Sequence, residues 1–402
     1  MKKKIYVVML GIMIVLACMG LAACGTGGAN TDATSDETTN SIYTDRDMDG
    51  TWDAATATNV ELADSTGSYT IDAEGTYVFT GSLSDGQIIV KASDTAKVQV
   101  VLNGVSVTCK SAPALMIESG DKVFVTLAAG TENSLVDGTS YASTEDEPFA
   151  CLFSKSDLTI NGTGYLDVVG NYNNGIGSKD DLKICGGNIT VTSVNHGIKG
   201  KDMVGICAGT VEVAANGDGI KSNNTTDEGR GYVSIDGGTV KITKCVEGIE
   251  ARNIYINDGD ISITSSDDGI NATDGVTSSN VMQAQEGITI EITGGTLYIN
   301  TGGDGIDSNG DLYISGGDVT IEGESNANEA LDYAGEYNNT GGTVNTDGYV
   351  GGMGGGGKDG GLGQGGMNGP NGNFDDDMPD GGGFDGTRPQ GQRPDGGGEP
   401  PA

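Results

Sequence analysis

The residues best placed to do chemistry are acids that recur at fixed distances from a Gly-Ile pair. Two positions before each isoleucine stand Asn174, His196, Asp218, Glu247, Asp268 and Asp304. Directly after it stand Gly177, Lys199, Lys221, Glu250, Asn271 and Asp307, with Asp332 following Leu331 in the same register. If equal positions of a repeat lie over one another, the later members are acids stacked on acids. Carboxylates one strand spacing apart, about 5 Å, repel unless a cation sits among them. Calcium suits such a column better than magnesium, because it takes about six to eight oxygen ligands and tolerates irregular geometry. The predicted calcium ligands are Glu247, Glu250, Asp268, Asn271, Asp304, Asp307 and Asp332; solvated corner acids that need no metal are the alternative.

A separate acidic stretch, "DRDMDGTWD", places Asp45, Asp47, Asp49, Gly50 and Asp53 at the spacing that opens an EF-hand-type calcium loop. Thr56 stands where that loop needs Glu, and no flanking helix is expected. The stretch therefore reads as an isolated calcium loop or as a plain acidic turn.

Bases gather near the same repeat. The third position after the Ile or Leu holds Lys155, Lys179, Lys201 and Arg252, next to Lys199 and Lys221, in a chain with only 21 Lys plus Arg. A basic strip beside a calcium-loaded one would suit an acidic polysaccharide, whose carboxylates Lys could meet directly or through the ion. Neutralisation of neighbouring acids explains the same residues. Tyr255 and Tyr313 share one strand slot, with Tyr298 on the next strand, and could give sugar rings flat platforms; strands also favour Tyr on any half-exposed face. The predicted carbohydrate contacts are Lys179, Lys199, Lys201, Lys221, Arg252, Tyr255 and Tyr313.

What must position these residues is a repeat. The isoleucines Ile176, Ile198, Ile220, Ile249, Ile270 and Ile306 are spaced 22, 22, 29, 21 and 36 residues apart, the long steps carrying inserts at 223–231 and 273–287. The underlying period is 21–22, each repeat continues into a strand after a glycine turn, and no helical period appears. A sandwich needs about 100 residues and seven strands, so a unit this small predicts stacked coils of three short strands, an all-β parallel β-helix. Glycine would supply positive φ at the corner and Ile would point inward. Small residues at Ser178, Gly200, Ser222, Ala251, Ala272 and Ser308 would fit a narrow interior. Residues 58–170 read as earlier, looser coils, and both inserts leave at one corner, where they could wall a groove.

Composition bounds the rest. With 70 glycines and 5% aromatic residues in 402, the core must come from small and β-branched side chains. A net charge of −36 argues against nucleic acid as a partner. Lys2 to Lys4, an apolar run from Ile5 to Gly20 and "LAAC" predict a lipoprotein-type signal peptide over 1–23, with Cys24 acylated; a plain secretory signal is the alternative. The expected order is then a flexible tether 24–41, the repeat domain 42–350 and a disordered Gly/Pro-rich tail 351–402. The chain would be extracellular, anchored to the outer face of a bacterial cell membrane only through the lipid on Cys24. Beyond the signal, Cys109, Cys151, Cys185, Cys207 and Cys245 show neither zinc nor disulfide spacing and read as small buried hydrophobes.

The phrases "YTDRDMDGTWD", "GTYVFTGSLSDGQIIV", "VQVVLNGVSVT" and "FSKSDLTINGTGYLDVVGNYNNGIGSKDDLKICGG", with the Gly-Ile repeats, resemble the extracellular carbohydrate-binding proteins of clostridia and their relatives, often lipoproteins, over about residues 42 to 345. The resemblance implies a right-handed parallel β-helix like that of pectate lyases, calcium on the coils, and non-catalytic binding of cellulose and of acidic polymers such as polygalacturonate. Cys185, Cys207 and His196 depart from the pattern in the ladder slots, which puts ligand preference in doubt. A calcium-dependent lyase is the runner-up, with Arg252 beside Glu250 as base; "NHGIK" and the Asp267–Asp268 pair also suggest a polygalacturonase, but in the wrong chain order. Acid and base work needs two carboxylates converging on one bond, and nothing singles out such a pair. A structural surface adhesin is the third reading. A calcium β-roll fails because its "GGDGID" phrase occurs once.

Overall fold

Strands such as Thr296–Thr301, "TLYINT", alternate buried and exposed residues, so that Leu297 and Ile299 face inward while Tyr298 and Asn300 face out. That period of two, repeated along the chain, builds the molecule. The computed structural model describes residues 42–350 apart from Thr66, 143–146, 276–282, 324–327 and 347–348. The expected signal peptide, Cys24, tether 24–41 and tail 351–402 lie outside the described residues.

A short helix, Asp45–Met48, is followed by strands that form a 17-stranded sheet and a 12-stranded sheet. The smaller sheet carries the isoleucine column: Ile176 pairs with Ile198, then Ile220, Ile249, Ile270, Ile306 and Leu331, each in a parallel register. All seven are fully buried, and Ser178, Ser222, Ala251, Ala272 and Ser308 are buried beside them. The larger sheet supplies the facing wall, including Val191, Val213, Ile242, Ile263, Ile299 and Ile321. Each such side chain contributes about 1.5–3 kcal/mol on burial, which is how a chain poor in aromatics makes a core.

The glycine before each isoleucine is not there for positive φ, contrary to the sequence expectation. A Cβ on Gly269 would come within 2.4 Å of Ile299 Cγ2 across the core and 2.5 Å of Gly305 O in the next layer, and its counterparts are as tight. The left-handed glycines sit at a different bend, in the larger sheet; at Gly295, φ is +81° and a Cβ would lie 2.8 Å from Gly259 O.

That second bend corrects the fold expectation. The chain is all-β, but it is not a simple right-handed β-helix of even coils with three short strands. Asp181–Ser193, Met203–Ala215 and Tyr232–Lys244 are continuous 13-residue strands, and both Asp157–Gly162 and Tyr165–Gly170 pair with the first of them. Glycine pairs let hydrogen bonding run through the bend with only a local register shift, so two predicted legs fuse into one strand. The result is two unequal parallel sheets, with layers of uneven length.

Ahead of the first strand, residues 42–57 cross the outer surface of the larger sheet as a strap. Tyr43 Oη donates to Asp236 Oδ2 at 2.7 Å, and Asn161 Nδ2 donates to the main-chain oxygens of Asp47 and Asp49 at 3.1 Å. Asp47 is fully buried, 2.6 Å from Lys122 Nζ. Burial opposes its ionisation, but Lys122, Thr159 and Thr44 outweigh that and hold its carboxyl well below the usual range.

Candidate functional site

Each short strand of the smaller sheet reads inward, outward, inward: Ile249 and Ala251 are buried while Glu250 between them faces out. The outward residues therefore form a column in register, Lys199, Lys221, Glu250, Asn271, Asp307 and Asp332. A second column runs along the approach to the same strands. There three side chains accept a main-chain N–H from the next layer, Asn174 Oδ1 from His196, Asp268 Oδ1 from Asp304 and Asp304 Oδ1 from Glu329, at 2.5–3.1 Å, while His196 Nδ1 lies 3.0 Å from Asp218 Oδ2. This stitching of layer to layer is a structural role that sequence spacing did not reveal.

Two acidic groups result. In the first, Asp218, Glu247 and Glu250 bring ligand oxygens within 4.8 Å of one another. Lys221 is their internal counter-ion, with Nζ 2.8 Å from Asp218 Oδ2 and hydrogen-bonded to Glu250 Oε2. Against the cost of burial, His196 and Lys221 hold the Asp218 carboxyl well below its usual range. Glu247 lacks that compensation: burial, then the charges of Glu250 and Asp218, push its carboxyl up to about 8. Its Oε1 accepts from Asn271 Nδ2 at 3.1 Å. Glu247 Oε2 and Asn271 Oδ1 are buried with no hydrogen-bond partner, a costly state for oxygens that a cation or water would relieve.

The second group, Asp268, Asp304, Asp307 and Asp332, has no Lys or Arg in ion-pair contact among the described residues. Burial and then the charges of Asp268, Asp332 and Asp304 push Asp307 up to about 8. Burial also leads in raising Asp268 to about 6, despite the N–H of Asp304. Beside them Glu329 Oε2 is buried and unpartnered. These oxygens suit a hard cation of calcium type and offer no thiolate or imidazole for softer metals, but among the described residues no three of these acids bring ligand atoms within 4.8 Å of one another, as Asp218, Glu247 and Glu250 do.

The bases are more engaged than their sequence pattern suggests. Lys179 bonds Glu147 Oε1, and Lys155 lies 3.4 Å from Glu147 Oε2. Lys199 lies 5.7 Å from the Phe149 ring; burial and the neighbouring Lys221 lower its ammonium pKa. Lys201 is half-buried at the corner where Arg252 stands, and Arg252 Nε is buried without a partner. Tyr255 and Tyr313 are not brought to this face. They belong to the larger sheet, with Glu291 between them in register, so they cannot form one platform with Lys199 and Lys221.

The acidic amino-terminal stretch does not gather its side chains. Asp47 is turned inward to Lys122, Asp49 Oδ1 accepts from Thr51 N at 2.9 Å, and Asp53 Oδ1 accepts from Ala55 N at 2.9 Å. Asp45 is exposed in the helix. The calcium-loop spacing is satisfied along the chain and not in space, because the fold uses Asp47 as an internal anion. Conversely, the sequence reading missed Asp157, Asp180 and Asp181, whose oxygens lie within 4.8 Å of one another, with Arg230 Nη1 2.7 Å from Asp181. Burial and then those two acids push Asp157 up to about 6. The repeated "SKSD" and "SKDD" phrases were the available signal.

The family model described as carbohydrate-binding domain-containing protein matches residues 65–330. The chain belongs to that family. A carbohydrate-binding domain-containing protein of Acetivibrio thermocellus is 45% identical over 250 residues, which cover 61% of this chain and 86% of that one. A solved structure, a polysaccharide lyase-like protein from C. thermocellum studied as a gadolinium derivative, is 28% identical; the match covers 74% of this chain and 98% of that one at a TM-score of 0.48. That score is too low to carry its architecture to this carbohydrate-binding domain. The matched span includes the acids from Asp218 to Asp307 and Glu329, and leaves out both the strap and Asp332.

Proposed function

We propose that this carbohydrate-binding domain protein binds extracellular polysaccharide without cleaving it, and that calcium held by the acid columns is part of the binding surface. Asp268, Asp304, Asp307 and Asp332 would hold one ion, and Glu247, Glu250 and Asn271 would contribute to another. The ion would supply the positive charge that lets a uronate carboxylate approach an acidic protein. The observation that carries this reading is a run of half-buried, mutually repelling acids, with Asp307 pushed up to about 8 and with orphaned oxygens on Glu247, Asn271 and Glu329. Lys199, Lys201 and Arg252 would meet the carboxylates of an acidic glycan such as polygalacturonate at the other end of the same face. Cellulose is the uncharged ligand of this reading, and a lipid on Cys24 would keep the domain at the outer face of the membrane.

The test is retention of the purified chain on pectate with calcium and with a chelator, alongside thermal melting in a calcium titration. Retention that chelator abolishes, and melting that rises with calcium, are expected; a melting temperature unmoved by millimolar calcium would remove the metal from the proposal. One observation favours the runner-up, a lyase: Lys199, its pKa lowered by burial and Lys221, stands in the same column as the acids. A lyase would release unsaturated product from polygalacturonate, seen as rising ultraviolet absorbance, and the binding reading expects none.

A further inference from the structure

Two adjoining clefts open on the larger sheet and not on the face that carries the acid columns. One, of about 700 Å³, is lined by Met48 and Trp52 of the strap and by Gly162, Gly186 and Gly209 of the strands beneath. The other, of about 780 Å³, is lined by Ser106, Ser134, Tyr165 and Thr190, with Glu132 and Asp167. Asn188 lines both. Each volume lies within the roughly 300–1,000 Å³ of small-molecule sites.

The walls are held in place. Trp52, the one tryptophan of the chain, packs against Val78, Val101 and Ala128, and Gln99 Nε2 donates to Thr51 O at 3.1 Å. A Cβ on Gly50 would come within 2.7 Å of Gly162 Cα, so the strap lies directly on the strand below. Cβ atoms on Gly162, Gly186 or Gly209 would strike main chain of the adjacent layer at 2.3–2.6 Å, so at these three positions main chain itself lines the cleft.

Three features of the lining point to one kind of occupant. Tyr165 at 56% and Met48 at 51% are the two most exposed large apolar side chains among the described residues, and each lines one cleft. Exposed apolar groups gathered in one place mark binding surfaces. In a chain of net charge −36, the Trp52 cleft is lined by no Asp, Glu, Lys, Arg or His. The Tyr165 cleft has two acids and no base. A charged sugar would meet either no counter-ion or repulsion there, whereas the C–H face of an uncharged pyranose can lie on an aromatic ring while its hydroxyls reach Asn188, Ser134 and Thr190.

We infer that these clefts form a second glycan site, selective for uncharged polysaccharide and independent of metal, with Trp52 and Tyr165 as platforms on either side of Asn188. This rests on the carbohydrate-binding reading and gives the uncharged ligand a place of its own. The experiment is affinity electrophoresis of the full chain, Trp52→Ala and Tyr165→Ser in gels holding a soluble β-glucan, xylan or mannan, or polygalacturonate with calcium, each with and without chelator. At least one uncharged polymer should retard the unmodified chain whether or not chelator is present. Each variant should weaken that retardation by about tenfold or more, with polygalacturonate retardation unchanged. Tyr165 is exposed enough to be replaced without opening the core, so Tyr165→Ser decides the question if losing Trp52 loosens the strap. The inference is overturned if both variants keep full retardation, if chelator abolishes it, or if no uncharged polymer is bound while polygalacturonate is. Failure of every polymer would instead overturn the carbohydrate reading itself.

Discussion

Asp307 shows the conflict that organises the candidate site. It is packed among Asp268, Asp304 and Asp332, and without a metal its carboxyl is pushed up to about 8 by burial first and those charges second. Asp307→Asn keeps the shape and removes the charge. Its two expected effects have opposite signs. With chelator and above pH 8, the variant should melt higher than the parent, by about 2 °C for each kcal/mol of repulsion relieved, with roughly 1–3 kcal/mol at stake. With calcium it should gain less than the parent. Calorimetry on both proteins in both conditions reads the pair of effects, and equal calcium responses would remove Asp307 from the ligand set. Lys221 illustrates the other solution to the same problem, an ammonium placed between Asp218 and Glu250.

At the scale of elements, the smaller sheet depends on the Gly-Ile pair at its edge of each layer, and the two residues do different work. Ile270 fills the core, so Ile270→Ala should cost about 2–5 kcal/mol through lost burial and the cavity left behind. Gly269 keeps the layers close. Its Cβ would meet Ile299 Cγ2 at 2.4 Å and Gly305 O at 2.5 Å, and Gly269→Ala should cost about 1–3 kcal/mol by overpacking. Urea unfolding of both variants measures this; a Gly269→Ala protein as stable as the parent would show that the layers can move apart. In the larger sheet the same residue type acts through its backbone: Gly238, at φ +81°, lets the sheet turn inside the continuous strand Tyr232–Lys244.

For the whole molecule, the raised carboxyls predict how stability follows pH. Glu247 and Asp307 lie near 8 when folded, against 4.5 and 3.8 as free side chains. The folded chain therefore holds protons that the unfolded chain has released, and the slope of stability against pH is negative across that window. Without calcium, the melting temperature should fall as pH rises from about 4 to about 8. Calcium should reverse the trend, because binding requires the deprotonated acids and grows tighter as pH rises. Melting curves across this range, with and without chelator, test both halves; a chelated protein that gains stability toward pH 8 would contradict the acid columns as described. The two faces of the molecule would then respond differently to the ion, with the acid columns calcium-dependent and the Trp52 cleft not.

Much of this was legible in the sequence wherever a property depends on spacing alone. The Gly-Ile register determined which residues stack, since equal steps along parallel strands bring equal positions together, and the Glu250, Asn271, Asp307 and Asp332 column follows from it. Period-two burial likewise fixed which side chains enter the core. What depends on the path of the chain between those strands was decided only in three dimensions. The glycine bend that fuses two legs into one strand, the reason for Gly269, the separation of Tyr255 from Lys199 onto another sheet, and the turning of Asp47 from an apparent ligand into a buried partner of Lys122 all rest on contacts between residues far apart in sequence. The same is true of Trp52, which shares its cleft with Gly162, Gly186 and Gly209, more than a hundred residues away. Local spacing repeats, and can be read; the meeting of distant segments does not repeat, and has to be seen.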